Sequence, residues 1–169
     1  RNIVGKKFNN SELFWYFFPK KKEINKGDIK IIYLGYFMKD FNDHTNAKIA
    51  KNNGAKFRTG KFSSPLDTGG IYNFTALDDD FVIVNQYLKY LKFGFGKASQ
   101  EIGSAIRYGK MTRKKGIELL KLYDGKINKY YIKKLCNYLN ITNDQFWKII
   151  NPFINKDLFY LNNKNKWIR

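Results

Sequence analysis

The sequence predicts the remnant of an α/β arrangement followed by a mainly α region: a short strand region, then about five C-terminal helices. Three observations predict it. Residues 28–37 form an apolar run rich in β-branched and aromatic side chains. Residues 55–77 are broken by Gly60, Pro65, Gly69 and Gly70. From Asp78 onward the apolar side chains recur every three or four positions, which is helical periodicity. This change of texture divides the 169 residues into 1–77 and a helical C-terminal region, 78–169.

The run from Asp28 to Phe37 lies between Gly27 and the polar pair Lys39-Asp40. Its apolar residues do not alternate, so it reads as a largely buried core strand that includes Ile31 to Tyr36. Asp43 is a candidate cap for a helix through Ala47, Ile49 and Ala50, ended by Asn53-Gly54. Residues 55–77 read as extended and rich in turns. Phe81, Val84, Tyr87, Leu88 and Leu91 then mark a helix that Phe93-Gly-Phe-Gly96 breaks. A second helix is expected from about Ala98 to Tyr108, stopped by Gly109. Thr112 is a candidate cap for a third, which carries Ile117, Leu120 and Tyr123 before Asp124-Gly125. Ile132, Leu135, Cys136 and Leu139 share one face of a fourth. Thr142 and Gln145 have capping-box spacing ahead of Phe146, Trp147, Ile149 and Ile150, and Pro152 closes this fifth helix.

Composition excludes several classes. Hydrophobic residues are 43% and aromatics 18%, too rich for a disordered chain. No apolar run, Leu13 to Phe18 included, approaches the ~20 residues that span a bilayer. One cysteine, Cys136, excludes an internal disulfide, and with one histidine, His44, it excludes Cys/His zinc ligation within the chain. Cys136 is expected to be a buried, inert thiol, and a reducing cytoplasm suits it. The net charge of +18 comes from 32 basic against 14 acidic residues. Arginine occurs only at Arg1, Arg58, Arg107, Arg113 and Arg169, so lysine supplies most of this charge. Scattered lysines, Lys164 among them, make a solvated surface rather than a nucleic-acid stripe. The sequence opens on Arg1, and its methionines are Met38 and Met111, so a piece of a longer protein is expected.

The sharpest local feature is Lys92-Phe-Gly-Phe-Gly-Lys-Ala-Ser99. Gly94 and Gly96 let backbone approach a ligand, the loop enters a helix N-terminus, and Lys92 and Lys97 flank it with positive charge. A phosphate site is expected there, with both lysines facing a common cavity near Asp78 and Asp79. Those carboxylates either hold Mg²⁺ or complement the helix dipole. His44 reads as a surface residue.

Longer-range order adds to this. Tyr33-Leu-Gly-Tyr-Phe-Met-Lys-Asp40, Lys51-Asn-Asn-Gly54 and Gly70-Ile-Tyr-Asn-Phe-Thr-Ala-Leu-Asp-Asp79 follow one another. Tyr90-Leu-Lys-Phe-Gly-Phe-Gly-Lys97, Ile106-Arg107, Gly109, Thr112-Arg113 and Tyr123-Asp124-Gly125 complete the series. From about Ile24 onward the chain resembles the C-terminal half of the bacterial N-acetyl sugar amidotransferases. These are PP-loop ATP pyrophosphatases, with an adenine nucleotide α-hydrolase-like fold, of lipopolysaccharide and flagellar-glycan biosynthesis. The resemblance makes residues 1–77 the end of the nucleotide-binding domain. It implies ATP-dependent conversion of a sugar acetamido group to an acetamidino group, with ATP and Mg²⁺, a sugar or nucleotide-sugar substrate, and ammonia from glutaminase and cyclase-like partner subunits. Lys92, Gly94, Gly96 and Lys97 become the phosphate contacts, and Asp78, Asp79, Tyr72 and Arg107 candidates for Mg²⁺ or substrate. The catalytic residues stay unassigned.

The sequence departs from the family at definite places. The Ser-Gly-Gly-x-Asp-Ser ATP loop and the cysteine-rich N-terminal segment are absent, so this chain is expected to be a C-terminal fragment, inactive alone. Lys97 stands where arginine is usual, Glu101 where aspartate is, and Ala105 where glutamate is. Two other readings remain at this point. Residues 127–142 and the helix after them have the outline of a helix-turn-helix, although Phe146, Trp147, Ile149 and Ile150 are too apolar for a face that reads bases. A non-catalytic docking domain is the other.

Overall fold

The computed structural model describes residues 20–24, 30–163 and 167–169. The expectations for Leu13 to Phe18, for the start of the strand at Asp28, and for Lys164 lie outside them. Contacts divide the chain into two units, residues 1–41 and 42–169, and the texture change at residue 78 falls inside the second.

In the first unit, two single helical turns are described, α1 (Lys21–Ile24) and α2 (Leu34–Phe37). The expected core strand over Ile31 to Tyr36 is not formed. Residues 30–33 have no regular structure, the Tyr36 amide donates to the Tyr33 carbonyl at 3.0 Å, and Ile31 and Tyr36 are 76% and 85% exposed. Strand preference is a preference for packing beside other strands. Among the described residues none pairs with this segment, so its backbone bonds locally.

The second unit begins with α3 (Asp43–Asn52). Its cap is Asn42 rather than Asp43: the Asn42 side chain accepts the Thr45 amide at 3.0 Å, while Asp43 supplies negative charge to the first turn. A four-residue turn, α4 (Pro65–Thr68), interrupts the extended stretch, held by a capping box between Ser64 and Asp67. Then come α5 (Phe81–Phe93), α6 (Lys97–Arg107), α7 (Arg113–Tyr123), α8 (Lys129–Leu139) and α9 (Asn143–Ile150). Thr112 caps α7, and the Thr142–Gln145 capping box starts α9, as the spacing predicts. Beyond α9, Tyr160–Leu161 (β1) pairs antiparallel with Trp167–Ile168 (β2), a contact with no periodic signal in sequence.

Among the described residues, two clusters form the core. Ile83 and Val84 of α5 pack with Tyr131, Ile132 and Cys136 of α8 and Phe146 of α9. Leu91, near the end of α5, packs with Ile154 and Phe159. Cys136 is buried, as expected, and burial pushes its thiol pKa up. Helices α6 and α7 approach closely because Gly116 has no side chain: a β-carbon there would lie 2.8 Å from Ile102 Cγ2. This framework fixes α6, on which the remaining chemistry rests.

Candidate functional site

Helix α6 starts at a residue that cannot cap it. Gly96 has no side chain, so the exposed amides at this terminus need another acceptor. Asp124, just beyond α7, provides it. The Gly96 amide donates to the two Asp124 oxygens at 3.1 and 3.0 Å, and the Ser99 amide donates to Oδ1 at 3.2 Å. The Ser99 hydroxyl donates to Oδ2 at 2.6 Å. The Ala98 amide donates to the Gly69 carbonyl at 2.9 Å. An anion does sit at the glycine loop, and it is a carboxylate of the chain itself. The hollow between Gly96, Lys97 and Gly125 is too narrow for water.

The flanking lysines part company. Lys92 is exposed, with its ammonium 5.2 Å from the Phe93 ring centre. Lys97 is buried, its Nζ 3.9 Å from Glu101 Oε1 one turn along α6. Gly94 ends α5, and its carbonyl accepts from Arg169 at 2.8 Å. Residues 92–97 therefore do not offer a phosphate the joint cavity expected of them.

Glu101 organises the next layer. Its Oε2 accepts the Ile71 amide at 2.6 Å and the Tyr72 amide at 3.2 Å, and its Oε1 accepts the Thr75 hydroxyl at 2.8 Å. Burial pushes the Glu101 pKa up, against the pull of the Lys97 charge and these donors. Burial likewise pushes Lys97 down. Gly70 is required at this crossing. A β-carbon there would lie 2.8 Å from Lys97 Cε and 3.0 Å from Glu101 Oε2.

Above this ion pair opens a cleft of about 480 Å³. One wall is Arg58, Thr59, Gly60 and Ser63; the other is Gly70 to Asn73, with Pro65 between them. The walls are clamped at one end. The Arg58 amide donates to the Asn73 carbonyl at 2.9 Å, and Asn73 Nδ2 donates to the Arg58 carbonyl at 3.2 Å. The Arg58 guanidinium points to Asp80 Oδ1 at 2.6 Å and to the Ala76 carbonyl at 2.5 Å. Burial works against its charge, but the hydrogen bonds and charges of Asp80 and Tyr131 together outweigh it and raise its pKa. Lys134 completes this network at 2.6 Å from Asp80 Oδ2.

The other candidates separate as well. Tyr72 reaches the cleft, stacked on Phe74 at 4.8 Å between ring centres. Burial, then the charges of Glu101 and Asp43, raise its pKa. Asp78 is exposed, and Asp79 accepts the Phe81 amide at 2.7 Å, so it caps α5 locally. Arg107 is exposed at the other end of α6. No group of three or more His, Cys, Asp or Glu among the described residues is arranged around a metal ion. His44 is not the surface residue expected: it is half-buried, its ring 4.7 Å from that of Tyr72. The roles of Arg58, Asp80 and Asp124 have no local sequence signal, because each acts on residues fifteen or more positions away.

The geometry covers the region in which known proteins can be compared. Residues 56–169 match the family model described as LPS biosynthesis protein WbpG-like, C-terminal domain. The chain belongs to this family. Its members are described by a role in lipopolysaccharide biosynthesis, and the matched residues contain the cleft, the Glu101 layer and the helices beneath. Comparison with curated proteins gives no match. Two of the positions that depart from the resemblance stated above, Lys97 and Glu101, are partners in one buried ion pair. The third, Ala105, is wholly buried, where a carboxylate would lack solvent. The helix-turn-helix outline gains nothing from the structure. Phe146 is 3% exposed in the core, and Asp144 puts negative charge in the first turn of α9. No helix among the described residues is long and apolar enough to cross a membrane.

Proposed function

We propose that the protein is the C-terminal part of an ATP-dependent amidotransferase of lipopolysaccharide biosynthesis, acting on the N-acetyl group of a sugar. One observation carries the reading. The Gly-x-Tyr segment, the Lys-Phe-Gly-Phe-Gly-Lys loop and Tyr123-Asp124-Gly125, which carry the resemblance in sequence, meet around the first turn of α6. Segments far apart in the chain are thus parts of one assembly.

In the proposed reaction the amide oxygen displaces pyrophosphate from ATP. Ammonia then adds to the amide carbon, and that oxygen leaves with AMP. ATP and Mg²⁺ are required by the reaction, but residues 92–97 do not fit phosphate, so no step is assigned to them. This chain's own contribution is to hold substrate: Glu101 fixes the Gly70–Thr75 loop, and Arg58 and Asn73 clamp it to the opposite wall. Ammonia comes from glutaminase and cyclase-like partners, and the dependence on ATP suits a cytoplasmic site.

The test uses the product of the complete reading frame, given an N-acetylated nucleotide sugar, ATP, Mg²⁺ and an ammonium salt. The expected outcome is AMP, pyrophosphate and a sugar whose amide oxygen has been replaced by NH, read by mass spectrometry. ATP consumption without that product would refute the reading. The 169-residue chain alone is expected to release no AMP.

A further inference from the structure

The 480 Å³ cleft has the size of a small-ligand site, but its chemistry is unusual for a chain of net charge +18. Phosphate sites use free cations, backbone amides or both. Here the two nearest cations and two of the loop amides are already engaged by the chain itself. The Arg58 guanidinium is bonded to Asp80 and the Ala76 carbonyl. Lys97 lies behind Gly70, paired with Glu101. The Ile71 and Tyr72 amides, which could have cradled an anion, donate to Glu101.

What remains on the walls is uncharged. Thr59, Ser63, Tyr72 and Asn73 offer hydroxyl and amide groups, and Ile71 and Pro65 offer apolar surface. The Ser63 hydroxyl donates to the Gly60 carbonyl, which leaves its oxygen as an acceptor. The Tyr72 ring is kept in place by stacking on Phe74. Hydroxyl and amide partners beside an aromatic surface suit a ring with C–H faces and equatorial hydroxyls.

We infer that this cleft holds the uncharged N-acetylhexosamine ring of the substrate and not its phosphates. The inference rests on the sugar-modifying reading and adds to it where, and by which part, the substrate is gripped. It also divides the labour: the charged portion of a nucleotide sugar lies outside residues 58–73.

The test is a titration of the ¹⁵N-labelled 169-residue chain, followed through assigned amide resonances. One arm uses N-acetylglucosamine and the other inorganic pyrophosphate. Saturating shifts at Thr59, Gly60 and Gly70 to Asn73 are expected with the sugar, and none at these amides with pyrophosphate. Thr59→Trp fills the cleft from an exposed position, and it should weaken sugar binding at least tenfold while leaving the spectrum of α5 to α9 unchanged. The proposal is overturned if the sugar shifts none of these amides, if pyrophosphate shifts the same set, or if Thr59→Trp binds the sugar equally well. Failure of the amidination reading looks different: the sugar saturates the cleft, yet the complete protein never makes the nitrogen-substituted product.

Discussion

Among the described residues, two places each present a pair of backbone amides to one distant carboxylate, and they differ in what lies beyond. At the start of α6, Asp124 accepts from Gly96 and Ser99, and the adjoining hollow excludes even water. Under the Gly70–Thr75 loop, Glu101 accepts from Ile71, Tyr72 and Thr75, and a cleft opens on the loop's other side. The first is a joint between α6 and the end of α7. The second is a support for a ligand wall. Amides at a helix N-terminus attract an anion, but that attraction does not say whether the anion comes from solvent or from the chain.

The comparison breaks most visibly at Glu101. Glu101→Ala strands two amides and a hydroxyl and leaves Lys97 buried without its counter-ion, at 8% exposure. Removing one member of a buried pair costs about 3–5 kcal/mol. A urea titration should show a loss of that size, with the Ile71 and Tyr72 amides the first to lose exchange protection. Glu101→Gln keeps one acceptor oxygen and should recover part of the loss.

Asp124→Ala should cost less, about 2 kcal/mol, because it removes the acceptor of two amides and a hydroxyl but leaves no buried counter-ion without its partner. Thermal melts of the two variants would rank them. If Asp124→Ala proved as damaging as Glu101→Ala, the distinction between joint and wall support would fail.

The sequence made one side of this comparison legible and hid the other. Helices α5 to α9 were readable because their signals are local: Phe81, Val84, Leu88 and Leu91 repeat within a turn, and Thr142 and Gln145 cap within three residues. The loop from Lys92 to Ser99 was readable as an anion site for the same reason. The anion was not, since Asp124 is 28 residues from Gly96. Nor was Glu101 readable as the support for Tyr72, 29 residues away. The strand expected over Ile31 to Tyr36 failed for a related reason, as its β-branched run describes a surface suited to neighbours it does not have among the described residues.

A smaller effect should appear in acid. Burial opposes ionisation of Asp80, but hydrogen bonds from Lys134 and Arg58 outweigh it and hold its pKa below the usual carboxylate range. A lowered folded value gives stability that is complete above the unfolded value. That stability is lost as pH falls through the folded one, below about 4. Asp80→Asn should therefore lower stability at neutral pH and flatten the acid limb of a stability–pH profile. An unchanged acid limb would mean that the Arg58 wall of the cleft is not held through this carboxylate.

The smallest expected effect separates the two lysines of the glycine loop. Symmetry in sequence suggests that Lys92 and Lys97 act together, but Lys92 is exposed on Phe93 whereas Lys97 is buried against Glu101 beneath Gly70. Lys92→Ala removes only a solvated charge and its contact with the ring, so stability should change by no more than about 0.5 kcal/mol. Lys97→Met keeps most of the buried chain but leaves Glu101 without its cation, which favours the protonated carboxyl and weakens its hold on the Ile71 and Tyr72 amides. The measurement is hydrogen exchange at those two amides: faster in Lys97→Met, unchanged in Lys92→Ala. Equal acceleration in both variants would restore the lysines as a matched pair and return the loop to the role of a shared anion site.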